Sequence, residues 1–457
     1  MSRPQSRARR QAAFMEEAKR MYEKLEDWYD AHPQASFGEI EAEARKRRRA
    51  LMGKTLEQLV NGRDIGVQVE APKCQECGGD MEFEGYCGWG VHGLEGDSQL
   101  ERAYYVCPHC EGQTFFPLDV KLKLRADHWS EGAARVAARE GLQARSFKKA
   151  AESYSDATGG SMSSSSLQRI TEGFGQALEE KRVSEAQQVY DPQAPQLAQQ
   201  VVTVTAPIKE QANISTDGGM VLLREEGWKE FKMSVFSEVR VKAGKPSPAE
   251  AHPDPRITLL RHSYQAGLWT ADQMAQHQYL EGARRQVERC ARLGSANDGA
   301  VWISRITTAN YSHIVYSIDW AHAHGRLSNV AKAAFGDGTS QAQQWTQRQV
   351  DLLWHGRVEE VVTALQVLDW DQITCLEDIR NSPSYFETRK HNMDYARLRQ
   401  EGYPIGSGTV ESGINTVAHH RMKRQGRGWK REHAQAMLAA LGELHSGRFQ
   451  TAWQATC

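Results

Sequence analysis

Asn213-Ile-Ser-Thr-Asp217-Gly-Gly-Met-Val-Leu-Leu223 places an acid and two glycines inside an otherwise extended, apolar run. A carboxylate buried in a strand with no counter-ion is costly, so a charge in this position marks a task. Two more acids have comparable settings. Asp298 follows a predicted helix over 271–291 and precedes Gly299-Ala-Val-Trp302, which is the pattern of a short strand turning into a helix. Glu411 lies one turn into a predicted helix that the glycine-rich turn Gly406-Ser-Gly-Thr-Val-Glu411-Ser opens.

Strand acid, strand acid, helix acid is the order that an RNase H-like core presents. Three such carboxylates can hold two magnesium or manganese ions about 4 Å apart, a geometry suited to in-line phosphodiester displacement. Without metal the clustered charges repel and raise one another's pKa. The second acid has two candidates. Asp319 ends the apolar run His313-Ile-Val-Tyr-Ser-Ile318, whereas Leu293-Gly-Ser-Ala-Asn297 before Asp298 is built of weaker strand formers. Asp298 keeps the expected order and Asp319 is the runner-up. His322, three residues after Asp319, is open to an active-site role or to that of a structural hydrogen-bond partner.

Cys74-Gln-Glu-Cys77 and Cys107-Pro-His-Cys110 are two CxxC pairs separated by a stretch suited to a short β-meander. Four thiolates complete a tetrahedral zinc shell and leave no position for an activated water, so zinc here is predicted to be structural, in a zinc ribbon. Cys87, between the pairs, is expected to be a small buried residue. Upstream, apolar residues from Phe14 to Tyr29 recur at helical spacing, and Ser36 with Glu39 has capping-box spacing. Downstream, Ser146 to Thr158, Gly159-Gly160, a Ser-rich stretch and a further helix with Leu167, Ile170 and Phe174 on its inner face read as a helix-turn-helix, or as an ordinary helical hairpin with a polar face. In the first reading Lys148, Lys149, Ser164 and Arg169 face DNA. The block Arg45-Lys-Arg-Arg-Arg49 fits either a solvated face or phosphate contact.

The 57 basic and 58 acidic residues leave a formal net charge of −1, so affinity for nucleic acid must arise from local patches. The densest follows Glu411, with Arg421, Lys423 and Arg427 as phosphate contacts and Trp429 as a stacking residue or as core. No apolar run approaches the length of a membrane span or a secretory signal, so no membrane partner is expected and the location is cytoplasmic, on the nucleoid. The predicted architecture is multidomain α/β. It comprises N-terminal helices (1–70), the zinc-ribbon module (71–122), the helix-turn-helix region (123–190), a linker (191–210), and an RNase H-like core (211–325 and 403–457) interrupted by a helical insertion (326–402).

Tyr403-Pro-Ile-Gly-Ser-Gly-Thr-Val-Glu-Ser412, with Arg421-Met-Lys423 and Gly428-Trp429, resembles the C-terminal signature of ISKra4-type insertion-sequence transposases. Asp298-Gly-Ala-Val-Trp-Ile303, Asp319-Trp-Ala-His322 and the cysteine pairs followed by Phe116-Pro-Leu-Asp119 are similar to that family too. The resemblance runs from about residue 70 to the C-terminus. It implies a DDE transposase in which Asp217, Asp298 and Glu411 hold magnesium or manganese. It also implies double-stranded DNA, as element ends and target, for a partner, and a homodimer or larger assembly on paired ends. Two other readings differ in class: a transposase-derived DNA-binding regulator, and an RNase H-like nuclease without strand transfer.

Overall fold

Local capping chemistry sets the first two helices. Ser6 accepts from the Arg9 amide at the start of Arg7–Ala31, and Ser36 and Glu39 form the anticipated reciprocal capping box at the start of Phe37–Asn61. The computed structural model describes residues 5–190, 202–244 and 253–456. Part of the predicted linker, 191–201, lies outside the described residues. The chain divides into two compact units, 1–172 and 173–456, within the helix Ser164–Val189.

In the first unit, strands β1 (Glu82–His92) and β2 (Asp97–Val106) form an antiparallel hairpin, and β3 (Thr114–Phe115) pairs with the end of β2. Met81, Ala103 and Tyr105 pack against Cys74 and Cys107, so the small core and the cysteine pairs are one structure. Gly53 is a point of close approach: a Cβ there would collide with the Asp97 backbone. Helices Glu131–Gln143 and Phe147–Thr158 follow, the latter closed by Gly159 in the left-handed region, with its amide on the Ser155 carbonyl (2.7 Å). The arginine block is partly consumed here. Arg45 donates to the carbonyls of Asp156 and Ala157, and Arg49 to those of Gly93, Leu94 and Thr158, so both hold a helix end and a turn.

The second unit is built on a five-stranded mixed sheet of β4 (Gln211–Leu223), β5 (Gly227–Lys242), β6 (Arg256–Gly267), β7 (Arg292–Asn297) and β8 (Val315–Ile318), in the order β6-β5-β4-β7-β8. The first three are antiparallel neighbours, while β7 runs parallel to both β4 and β8. Helix Ala271–Arg285 stops short of the predicted 291. Gln286 adopts a left-handed conformation (φ 54°), and the chain then enters β7 through one 3-10 turn. The strand β7 that propensity disfavoured does form. Five of its six residues are buried, and small side chains suit it because neighbours cover it closely; a Cβ on Gly294 would lie 3.0 Å from the Tyr403 ring.

A run of helices begins at Trp320, directly after Asp319. Its helices, from Trp320–Phe335 to Tyr395–Gln400, enclose a core containing Leu327, Val330, Leu353, Val361, Leu365, Phe386 and Tyr395. The chain then returns to the sheet as Gly408–Gly413, a π-helical stretch Ile414–His419, and the long helix Arg431–His445. Among the described residues no helix is long and apolar enough to cross a membrane.

Candidate metal centres

The four cysteines converge. The sulfurs of Cys74, Cys77, Cys107 and Cys110 all lie within 4.8 Å of one another. The knuckles are shaped by backbone hydrogen bonds, with Gly78 N–H on the Cys74 carbonyl (2.9 Å) and Cys107 N–H on the Gln113 carbonyl (3.0 Å). Amides of Cys77 and Glu76 directed at Cys74 bring its thiol down to about 7. Cys110 is pushed up to about 12, chiefly by its hydrogen bond with Cys77 and by burial. The donor set is that of structural zinc. Cys87, expected to be buried, is exposed on β1.

The acids also gather, in the second unit. Asp217 sits on the central strand β4, where its Oδ1 accepts from the Gly218 amide (2.6 Å). Asp298 follows β7, and one oxygen accepts from the Ala300 amide (2.9 Å). Pairing between β4 and β7 is recorded from Gln211 to Asn213, short of Asp217. Beyond it Asn297 bridges the two strands, its Oδ1 accepting from the Thr216 amide (2.6 Å), and thereby ties the residues just before Asp217 and Asp298 together. Glu411 comes from the helix that crosses β4. Here Gly219 is required for space: a Cβ would press on Phe231 and lie 2.9 Å from Ile414 Cγ2. Gly219 thus lets the segment that follows Glu411 approach the strand.

Asp319 and His322 complete the group. The ligand atoms of Asp319, His322 and Glu411 lie within 4.8 Å of one another, and among the described residues no such set includes Asp217 or Asp298. Yet Asp319 is buried and its two oxygens are committed. Oδ1 accepts from the Ser407 amide (2.6 Å), and Oδ2 from the His322 amide (2.8 Å) and is 2.9 Å from His322 Nδ1. Burial works to raise its pKa, but the bonds from His322 and Ser407 outweigh it and hold the carboxyl below its ordinary range. His322 is raised in turn, first by that hydrogen bond and also by the charges of Asp319, Asp298 and Glu411. Asp217 is set differently. Burial, with the charges of Asp298 and Glu411, pushes it to about 6, against the opposing effect of the Gly218 amide and His322.

Asp319, His322 and Glu411 thus form one group, Asp217 and His322 both feel the charges of Asp298 and Glu411, and Asp319 is engaged as an anchor of His322 and Ser407. Sequence reasoning missed the anchoring residues Ser407 and Asn297. Ser407 gives its amide to Asp319 and its hydroxyl to Glu411 (3.0 Å), so the glycine-rich turn locks two acids at once. Its place inside Gly406-Ser-Gly408 was the available signal.

The residues assigned to DNA contact have varied settings. Lys148, Lys149, Ser164 and Arg169 are exposed, with Lys149 paired to Glu152 (2.6 Å) and Arg169 donating to Ser166 (3.3 Å). Lys423 and Arg427 are exposed, and the Lys423 ammonium lies 5.5 Å from the Trp228 ring centre. Arg421 is buried over Trp429. Trp429 is latched to the end of β4, with backbone bonds to Leu222 and Arg224 (2.9 Å each) and its indole N–H on the Met422 carbonyl (3.0 Å). That setting makes Trp429 a structural residue. No protein-family model matches this chain, and no curated protein gives a significant match to it.

Proposed function

We propose that the chain is a DDE-type DNA transposase with an RNase H-like core, in which Asp217, Asp298 and Glu411 hold divalent magnesium or manganese. The observation that carries this reading is that Asp217 within β4 feels the charges of Asp298, just after β7, and of Glu411 on a helix, and is raised to about 6 by burial and by those charges. An anionic cluster of this kind fits a hard divalent ion. The sheet order, three antiparallel strands followed by two parallel ones with the first acid on the central strand, supports the RNase H-like assignment.

When bound, a pair of such ions stabilises the attacking and leaving oxygens of an in-line phosphodiester displacement. The chain's own residues supply position and proton handling. Asp319 accepts from the Nδ1 side of His322 and fixes the ring, leaving Nε2 as the atom able to hold or take a proton beside Asp298 and Glu411. Ser407 keeps the Glu411 carboxylate oriented through its hydroxyl. The helix-turn-helix reading of 123–190 is supported by exposed Lys148, Ser164 and Arg169, and element-end DNA is the partner it implies.

The test is nicking of plasmid carrying the DNA that flanks the gene, with magnesium or manganese. Wild type nicks and Asp217→Asn does not. Joining of a pre-cleaved 3′ end to target DNA separates a transposase from a nuclease, and a wild type with no metal-dependent cleavage at all overturns the proposal.

A further inference from the structure

The N-terminal helix Arg7–Ala31 is 25 residues long, about 37 Å, and none of its residues is fully buried. One face, with half-buried Phe14, Met21, Leu25 and Trp28, is the face used within the hairpin with Phe37–Asn61. A second apolar stripe points away. Met15, Tyr22 and Tyr29 are 58%, 59% and 52% exposed and recur every seven residues, in line with exposed Ala8. One apolar residue per heptad is a single row, one of the two that a seam between paired helices uses.

The charges on this helix run against its own dipole. Arg7, Arg9 and Arg10 crowd the positive N-terminal end, while Glu26, Asp27 and Asp30 crowd the negative C-terminal end. The hairpin does not compensate, because the start of Phe37–Asn61 brings Glu39, Glu41 and Glu43 to the acidic end. Among the described residues no ion pair is recorded for Arg7, Arg9, Asp27 or Asp30, all of which are exposed.

We infer that this stripe is a dimer seam, occupied by the same helix of a second copy running antiparallel. An antiparallel partner reverses the charge pattern and sets each basic end against an acidic one. The register that places Met15 against Tyr22 of the second copy also places Tyr29 against Ala8 and Arg9 beside Asp27. A parallel pair would set like charges together throughout. A two-fold arrangement closes, since each contact occurs twice, and a single-helix seam falls at the small end of specific interfaces, so the association is concentration-dependent. This inference does not rest on the catalytic reading.

Sedimentation velocity on the full chain, over a concentration series without DNA or added divalent metal, tests it. A monomer–dimer equilibrium is expected for wild type. Tyr22→Glu, at an exposed position that leaves the far-ultraviolet circular dichroism unchanged, raises the dissociation constant about tenfold or more. Arg9→Glu and Asp27→Arg each weaken the dimer, and combining them returns affinity towards wild type. A monomer at all concentrations, a dimer indifferent to Tyr22→Glu, or charge reversals that add instead of compensating would overturn the seam. So would an Arg9→Glu variant that loses DNA affinity with its oligomeric state unmoved.

Discussion

Glu281 and Asp217 lie in the same unit and both sit inside the protein, yet their surroundings drive them in opposite directions. Glu281 is fully buried, and Arg448 grips both of its oxygens (2.7 and 3.1 Å) while Gln265 donates to one of them (3.0 Å) and Arg284 lies 3.5 Å away. Burial alone would raise it, but the arginine charges overcome that and bring it to about 2. Asp217 is less buried and stands among other acids, and it rises to about 6. Paired, a buried carboxylate fastens elements together. Among other acids it is pushed towards its neutral form, and on the proposed reading the contrast separates structural charge from functional charge.

The sharpest way to break the contrast is to neutralise each acid. On the proposed reading Asp217→Asn lowers metal-dependent nicking by about 10³-fold or more, roughly 4 kcal/mol of barrier, while the fold survives. Glu281→Gln does the reverse. It leaves Arg448 and Arg284 with buried charge to accommodate and costs about 3–5 kcal/mol of stability, measurable by urea denaturation. If Glu281→Gln unfolds no more readily than wild type, the buried network is not what holds helix Ala271–Arg285 to the segment carrying Glu443 and Arg448.

Acid titration sharpens the same comparison. The folded pKa of Glu281 lies below its unfolded value, so its contribution is present above about pH 4.5 and is lost as pH falls towards 2. Stability of wild type should therefore drop across that window, and Glu281→Gln should drop less. Equal slopes for the two proteins would mean that the pairing energy lies elsewhere.

How much of this was legible beforehand follows the same physics. The cysteine pairs were readable because metal ligation needs fixed residue types at short spacing, and the capping box because it is local. Asp217 stood out because an acid followed by glycines interrupts an apolar strand. The strand before Asp298 was obscure, since Gly294, Ser295 and Ala296 are chosen for the space between their neighbours and not for strand propensity. Arg45 and Arg49 read as a candidate phosphate-binding face, because their carbonyl partners at Asp156, Ala157 and Leu94 lie far along the chain. Trp429 was ambiguous for a similar reason, as its latch to Leu222 and Arg224 spans some two hundred residues.

A smaller effect tests whether Asp217 is truly uncompensated. Its folded pKa of about 6 exceeds the unfolded value of 3.8, so the fold favours its protonated form, and stability declines as pH rises from about 4 to 6. Above that window a constant deficit remains, about 1–2 kcal/mol once partial solvation is allowed for. Asp217→Asn removes the ionisation and should stabilise the protein by that amount at pH 7 without added magnesium, and by almost nothing at pH 4. Magnesium should stabilise wild type and leave Asp217→Asn much less affected, because only the wild type gains a cation opposite the ionised carboxylate. Urea midpoints at the two pH values, with zinc retained throughout, give the answer. An Asn variant less stable than wild type at pH 7 would mean that Asp217 is a paired acid like Glu281, and the distinction between the two regions would fail.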